Sequence, residues 1–199
     1  MSIVAWNVRE LGNADTVRAL KDIVFKYKLN IVFLSETKNK KKYLEKIRTK
    51  MKLSESHHLE LKGIAGSFAL WWSKETQVTI LKENKNLIDT CISINGDNEW
   101  FCMIELAIKG GSFTWSSQRC IEDAILEKLG RVLSAREWNL MFPKAICVME
   151  ATIASDHAPI ILLLSGLKKK WKKYFKFESK WLLEEKSSSN VKEAWNSLL

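Results

Sequence analysis

Apolar positions open the chain as a strand, Ile3 to Val8, and then change period. Val17, Leu20, Val24 and Tyr27 recur at helical spacing, which predicts a helix with Asp15 as its cap. Ile31-Val32-Phe33-Leu34 is a short apolar run of the kind that makes a buried strand. A strand, helix and strand in that order point to an α/β architecture.

A lysine-rich helix is expected over Lys40 to Lys52. Short β-rich runs follow at Ser67 to Trp72, Gln77 to Leu81, Leu87 to Ile94 and Trp100 to Ile104. Asn84-Lys85-Asn86 and Asn95-Gly96-Asp97-Asn98 punctuate them as turns. Gly110-Gly111 precedes a further strand at Phe113 to Trp115, a helix is expected over Ile121 to Leu133, and strands resume at Ala145 to Met149 and Ile160 to Leu164. The pattern changes at Gly166. Lys168 to Lys173 is a charge run around Trp171, and Ser187-Ser188-Ser189 precedes a last amphipathic segment. The expected organisation is therefore one domain over 1–167, with a basic linker and helix over 168–199.

Composition adds one point. An apolar fraction of 46% is ample for a core, and 32 basic residues against 23 acidic ones leave a charge of +9. Such an excess suits a polyanionic partner, and it equally suits a solvated basic surface. No apolar run approaches the ~20 residues that cross a bilayer, and the N-terminus lacks a signal-peptide pattern. Cys91, Cys102, Cys120 and Cys147 show no ligand or disulfide spacing. These features predict a soluble intracellular protein, nuclear or cytoplasmic, without a membrane partner or small-molecule cofactor. His57-His58 has no acidic or cysteine partner at metal-ligand spacing and reads as surface loop.

Three short motifs fall where strands end: Trp6-Asn7-Val8-Arg9, Ser35-Glu36-Thr37 and Ser155-Asp156-His157-Ala158-Pro159. Strand ends are where functional groups from distant sequence converge in layered α/β proteins. Each motif alone is ordinary turn chemistry. In this order, and with Ala69-Leu70-Trp71-Trp72, Phe113-Thr114-Trp115-Ser116, Trp138 and Phe142-Pro143, they resemble the endonuclease/exonuclease/phosphatase superfamily. More narrowly, the sequence is similar to the N-terminal endonuclease domain of plant LINE-type retrotransposon proteins. The tail, Phe175-Lys176-Phe177-Glu178 with Trp181, resembles the segment that leads towards their reverse transcriptase.

The resemblance implies a four-layered β-sandwich flanked by helices, and Mg²⁺-dependent hydrolysis of DNA. It implies Glu36 as metal carboxylate with Asn7 beside it, and Asp156 and His157 near the attacking water and the phosphate. Trp115 and Arg119 match the stretch beside nucleic acid.

The pattern also breaks. The family's long segment with a Gly-Asp-Phe-Asn motif has no counterpart between Ile104 and Phe113, and Gly130 stands where the family has an aspartate that holds the catalytic imidazole. Glu10 replaces the usual glycine after Trp-Asn-Val-Arg. The expectation is a degenerate, internally truncated endonuclease with impaired catalysis and a monomeric or loosely packed product. Two alternatives are a non-catalytic basic nucleic-acid-binding module and an active nuclease with a rebuilt site.

Overall fold

The computed structural model describes residues 1–9, 11–59, 67–84, 87–94, 97–98, 104–105, 108–109, 113–117, 126–127, 133–134, 136–150 and 155–166. They all lie within one compact unit, Met1–Lys168. The basic segment over 168–199, Arg119, Gly130, Cys102 and Cys120 fall outside the described residues.

Strand β1 (Ser2–Asn7) alternates: Val4 and Trp6 face one layer, while Ile3 faces the other. Helix α1 (Ala14–Tyr27) buries Thr16, Leu20, Ile23, Val24 and Tyr27, a single stripe at helical spacing. Its cap is Asn13, whose side chain accepts from the Asp15 N–H, so the cap expected at Asp15 lies two residues earlier. Asp15 instead places its charge in the first turn, where the helix dipole favours it. Strand β2 (Ile31–Ser35) returns parallel to β1 and is buried on both faces. Helix α2 (Lys41–Lys50) anchors through Leu44 and Ile47, and its lysines face out.

The main sheet then gains β3 (Glu55–Leu59) and β4 (Phe68–Trp72). A hairpin of β5 (Gln77–Asn84) and β6 (Leu87–Ile94) carries a short β7 (Asp97–Asn98) and forms a separate three-stranded sheet. Two-residue strands follow: β8 (Ile104–Glu105), β9 (Ile108–Lys109), β10 (Trp115–Ser116), β11 (Leu126–Glu127) and β12 (Leu133–Ser134). Helix α3 (Arg136–Met141), β13 (Ile146–Met149) and β14 (Ile160–Leu163) complete the described elements. The seven-stranded sheet runs β3-β4-β2-β1-β14-β13-β9.

Three layers result. The two long helices cover one face through Leu20, Val24, Leu44 and Ile47 against Val4, Trp6, Val32 and Trp71. On the opposite face Ile3, Ile31, Phe33 and Leu70 meet Val78, Ile80, Ile88 and Ile92 of the small sheet. Trp138 of α3 packs on Leu162 and Leu164. The expected α/β sandwich is present: the two long helices cover one face of the large sheet, and the small sheet and α3 pack on the other.

Two local expectations fail. The helix expected over 121–133 is broken by β11, which pairs with β10, and by β12, which pairs with β8. Open ladder groups on those partners outweigh a weak helical spacing, since tertiary pairing routinely overrides local preference. His57-His58 is strand rather than loop, paired with Leu70 and Ala69 of β4. It has acidic partners that sequence distance conceals: His57 Nε2 lies 2.5 Å from Glu83 and His58 Nε2 2.7 Å from Glu45.

Glu45 is the hub of this corner. Burial alone would raise its carboxyl, but hydrogen bonds from Arg48, Ser56 and His58 outweigh it and hold the group down at about 2. A depressed carboxyl contributes stability above its unfolded value, and that contribution disappears as pH falls through the folded value. The melting temperature of the wild type should therefore drop between pH 4.5 and about 2 more steeply than that of Glu45→Gln. Parallel slopes would show that the corner is not titrating.

Candidate active site

The carboxyl ends of β1 and β2 lie side by side because the strands are parallel and in register, Asn7 opposite Ser35. Just beyond them the backbone turns sharply. Arg9 (φ 52°), Glu36 (φ 54°) and Lys38 (φ 52°) all take the left-handed conformation without being glycine. That geometry costs roughly 1–3 kcal/mol per residue and persists only where the surroundings hold it. Here they do. Val8 N–H donates to the Ser35 carbonyl and Leu11 N–H to that of Thr37, while buried Thr37 is fixed by Ser67 through a 2.6 Å hydroxyl contact. Glycines there would relax the turns and delete the three charged side chains they present.

Asn7 clamps both loops. Its Nδ2 donates to Glu36 Oε1 at 2.7 Å, and its Oδ1 accepts from the Arg9 N–H at 3.0 Å. The amide thereby fixes the Glu36 carboxylate while spanning the gap between strands.

The third motif arrives antiparallel on β14, which pairs with the other side of β1. Ser155 Oγ donates to the Asn7 carbonyl (3.0 Å) and accepts from the His157 N–H (3.2 Å). The buried Trp6 indole donates to the His157 carbonyl at 2.7 Å. His157 is thus pinned through its main chain, and its ring lies 6.4 Å from that of Trp115. A backbone bridge between Trp115 and His157 aligns the two segments. Among the described residues, no hydrogen-bond partner is found for the His157 imidazole.

Asp156 is differently placed. Its side chain is 4% exposed, and its Oδ2 accepts from both the Trp115 indole (3.1 Å) and the Arg9 guanidinium. A buried carboxylate of this kind is stable because two donors and one full positive charge compensate it.

Asn7, Glu36, Asp156, His157 and Trp115 therefore form one connected network. Trp115 sits inside it, half-buried against Asp156, and Arg119 lies outside the described residues. Arg9, Ser155 and Trp6 had no expected role beyond membership of a motif. Ser155 is legible in retrospect from its place beside Asp156, whereas nothing in sequence spacing links Arg9 to a residue on the far strand.

Neither a family model nor a curated protein matches the sequence. Solved structures do match the fold. TDP2 from D. rerio, in complex with a single-strand DNA product, aligns at a TM-score of 0.53 and 13% identity, covering 81% of this chain and 97% of that one. TDP2 from C. elegans aligns at 0.56 and 15% identity, covering 81% and 74%. A truncated form of the C. elegans protein aligns at 0.55 and 16%, covering 81% and 96%. The chain has the endonuclease/exonuclease/phosphatase fold, and at these identities the likeness concerns the fold alone.

Proposed function

We propose that this chain binds the nucleic-acid backbone at the strand ends of a phosphodiesterase fold and hydrolyses it poorly, as a catalytically impaired relative of LINE-type retrotransposon endonucleases. The retrotransposon part rests on the order of sequence motifs. The observation that supports impairment is Asp156. Its carboxylate is buried under Trp115 and Arg9, so it is a poor candidate to handle an attacking water.

Glu36 and Asn7 fit a hard-cation site of the weak kind. Magnesium takes one or two carboxylates and completes its shell with water and substrate phosphate, and a half-buried carboxylate oriented by an amide suits that. Among the described residues there is no cluster of three or more His, Cys, Asp or Glu able to hold a metal. When bound, the ion would neutralise charge on the phosphate and the departing oxygen. Glu36 and Asn7 would hold it, His157 would face the phosphate, and Asp156 would keep Arg9 in place. With no partner among the described residues to fix its tautomer, His157 is a weak general base.

Backbone binding draws support from the excess of basic residues, from the exposed lysines of α2, and from the single-strand DNA held by one structural neighbour. Retention of a labelled single-stranded oligonucleotide, followed across a KCl series, tests the proposal. The logarithm of the affinity should fall linearly with that of salt, and the oligonucleotide should be recovered intact on a denaturing gel. No retention even at low salt would remove the binding half of the proposal. Cleavage that requires both Mg²⁺ and Glu36 would remove the impairment half.

A further inference from the structure

We infer that Arg9 is the phosphate anchor of this site, charged by its own sequence and aimed by Asp156. The inference rests on the nucleic-acid-binding reading above and adds a residue that reading does not assign.

The guanidinium lies between a buried and an open environment. Its side chain is 60% exposed, yet one terminal nitrogen, Nη1, rests on the nearly buried Asp156 carboxylate. The Trp115 indole donates to the same carboxylate oxygen, and Ser155 Oγ approaches the other at 3.4 Å. Asp156 is therefore held in place from the protein side and cannot follow Arg9 outward. Arginine carries five N–H donors in a planar fork. The Nε and Nη2 donors meet no acceptor among the described residues, on a side chain that is more than half exposed. That is the geometry needed to take a phosphate oxygen pair.

The backbone points to the same use. Arg9 adopts the left-handed conformation, its N–H fixed by Asn7 Oδ1. Asn7 also holds Glu36, which occupies the same unusual conformation on the neighbouring loop. One amide thus sets the starting point of both an anionic and a cationic side chain at the adjoining ends of β1 and β2. A phosphodiester needs donors on its oxygens, and the guanidinium N–H groups that Asp156 does not engage remain for it.

The experiment compares the full-length wild type with Arg9→Gln, Arg9→Lys and Lys21→Gln, the last removing one charge from the exposed face of α1. Each is titrated against a short fluorescein-labelled single-stranded oligonucleotide across KCl concentrations. Arg9→Gln should bind roughly tenfold more weakly or worse, as expected for a lost charge-assisted contact. It should also reduce the salt slope by about 0.7, the value of one phosphate contact on a single strand. Arg9→Lys should keep the slope and recover only part of the affinity, because the fork is lost and the charge retained. Lys21→Gln should change both far less. If Arg9→Gln melts too low to assay, Arg9→Gln with Asp156→Asn removes both charges together and should show the same weakened binding. Wild-type affinity and slope in whichever of these two variants is folded would overturn the anchor and leave nucleic-acid binding standing. Failure of the wild type itself to bind would overturn both.

Discussion

Supercoiled plasmid incubated with folded protein and Mg²⁺ should remain as intact as plasmid incubated with Glu36→Ala. The reason is cooperative. Catalytic groups that act on one proton and one phosphate are strongly non-additive, and losing one member removes most of the benefit of the others. Here Asp156 is engaged by Arg9 and Trp115, His157 meets no orienting partner among the described residues, and the Gly-Asp-Phe-Asn motif of the endonucleases that the sequence resembles is absent. A deficit of roughly 10⁴-fold or more against an intact site is the expected scale, since a single misoriented imidazole already costs about that much. Quantifying nicked circles over a long incubation, with Glu36→Ala and His157→Ala alongside, reads the difference. Nicking by the wild type alone would mean that a rebuilt site supplies the missing groups.

Trp6→Ala should be the most damaging single substitution among the site's supports. The side chain is 2% exposed in the core between β1 and the helices, and its indole also holds the His157 carbonyl. Large-to-small changes of buried tryptophan cost about 3–5 kcal/mol, a large share of the roughly 5–15 kcal/mol that stabilises an ordinary domain. For a chain of this size, about 2–4 °C of melting temperature is lost per kcal/mol, so a drop on the order of 6–20 °C is expected by calorimetry. Trp6→Phe separates the two roles. It keeps most of the buried ring and loses only the N–H, so it should melt nearer the wild type while amide exchange accelerates at His157 and Ala158. An alanine variant that melts within a degree of the wild type would show that the core does not depend on this ring.

What the sequence reveals follows from how local each signal is. β1, α1, β2 and β6 are legible because their apolar period is complete within the element, and β6 matches its expected span, Leu87–Ile94. β3 escapes because Glu55-Ser56-His57-His58-Leu59 is polar on both faces and becomes strand only by pairing with β4. The stretch around Leu126 and Leu133 misleads in the opposite sense, with helical spacing overruled by open strand edges. The cap at Asn13 was displaced to Asp15 because both side chains can accept the same kind of bond and only geometry chooses. At the site, Asn7, Glu36, Asp156 and His157 could be grouped because two motifs end strands and the third immediately precedes one. The Arg9–Asp156 pair could not be, because the two residues are 147 positions apart and no periodicity connects them.

The topology also sets a timetable. β1 lies between β2, which follows it almost at once, and β14, whose Leu163 pairs with Ser2. On a ribosome adding about 5–20 residues per second, the open flank of β1 waits roughly ten to thirty seconds for its second neighbour. Asp156 and His157 emerge immediately before that strand. The connected site therefore does not exist in the nascent chain until the sheet closes, and a truncation before Ser155 removes Asp156 and His157 and leaves one edge of β1 unpaired.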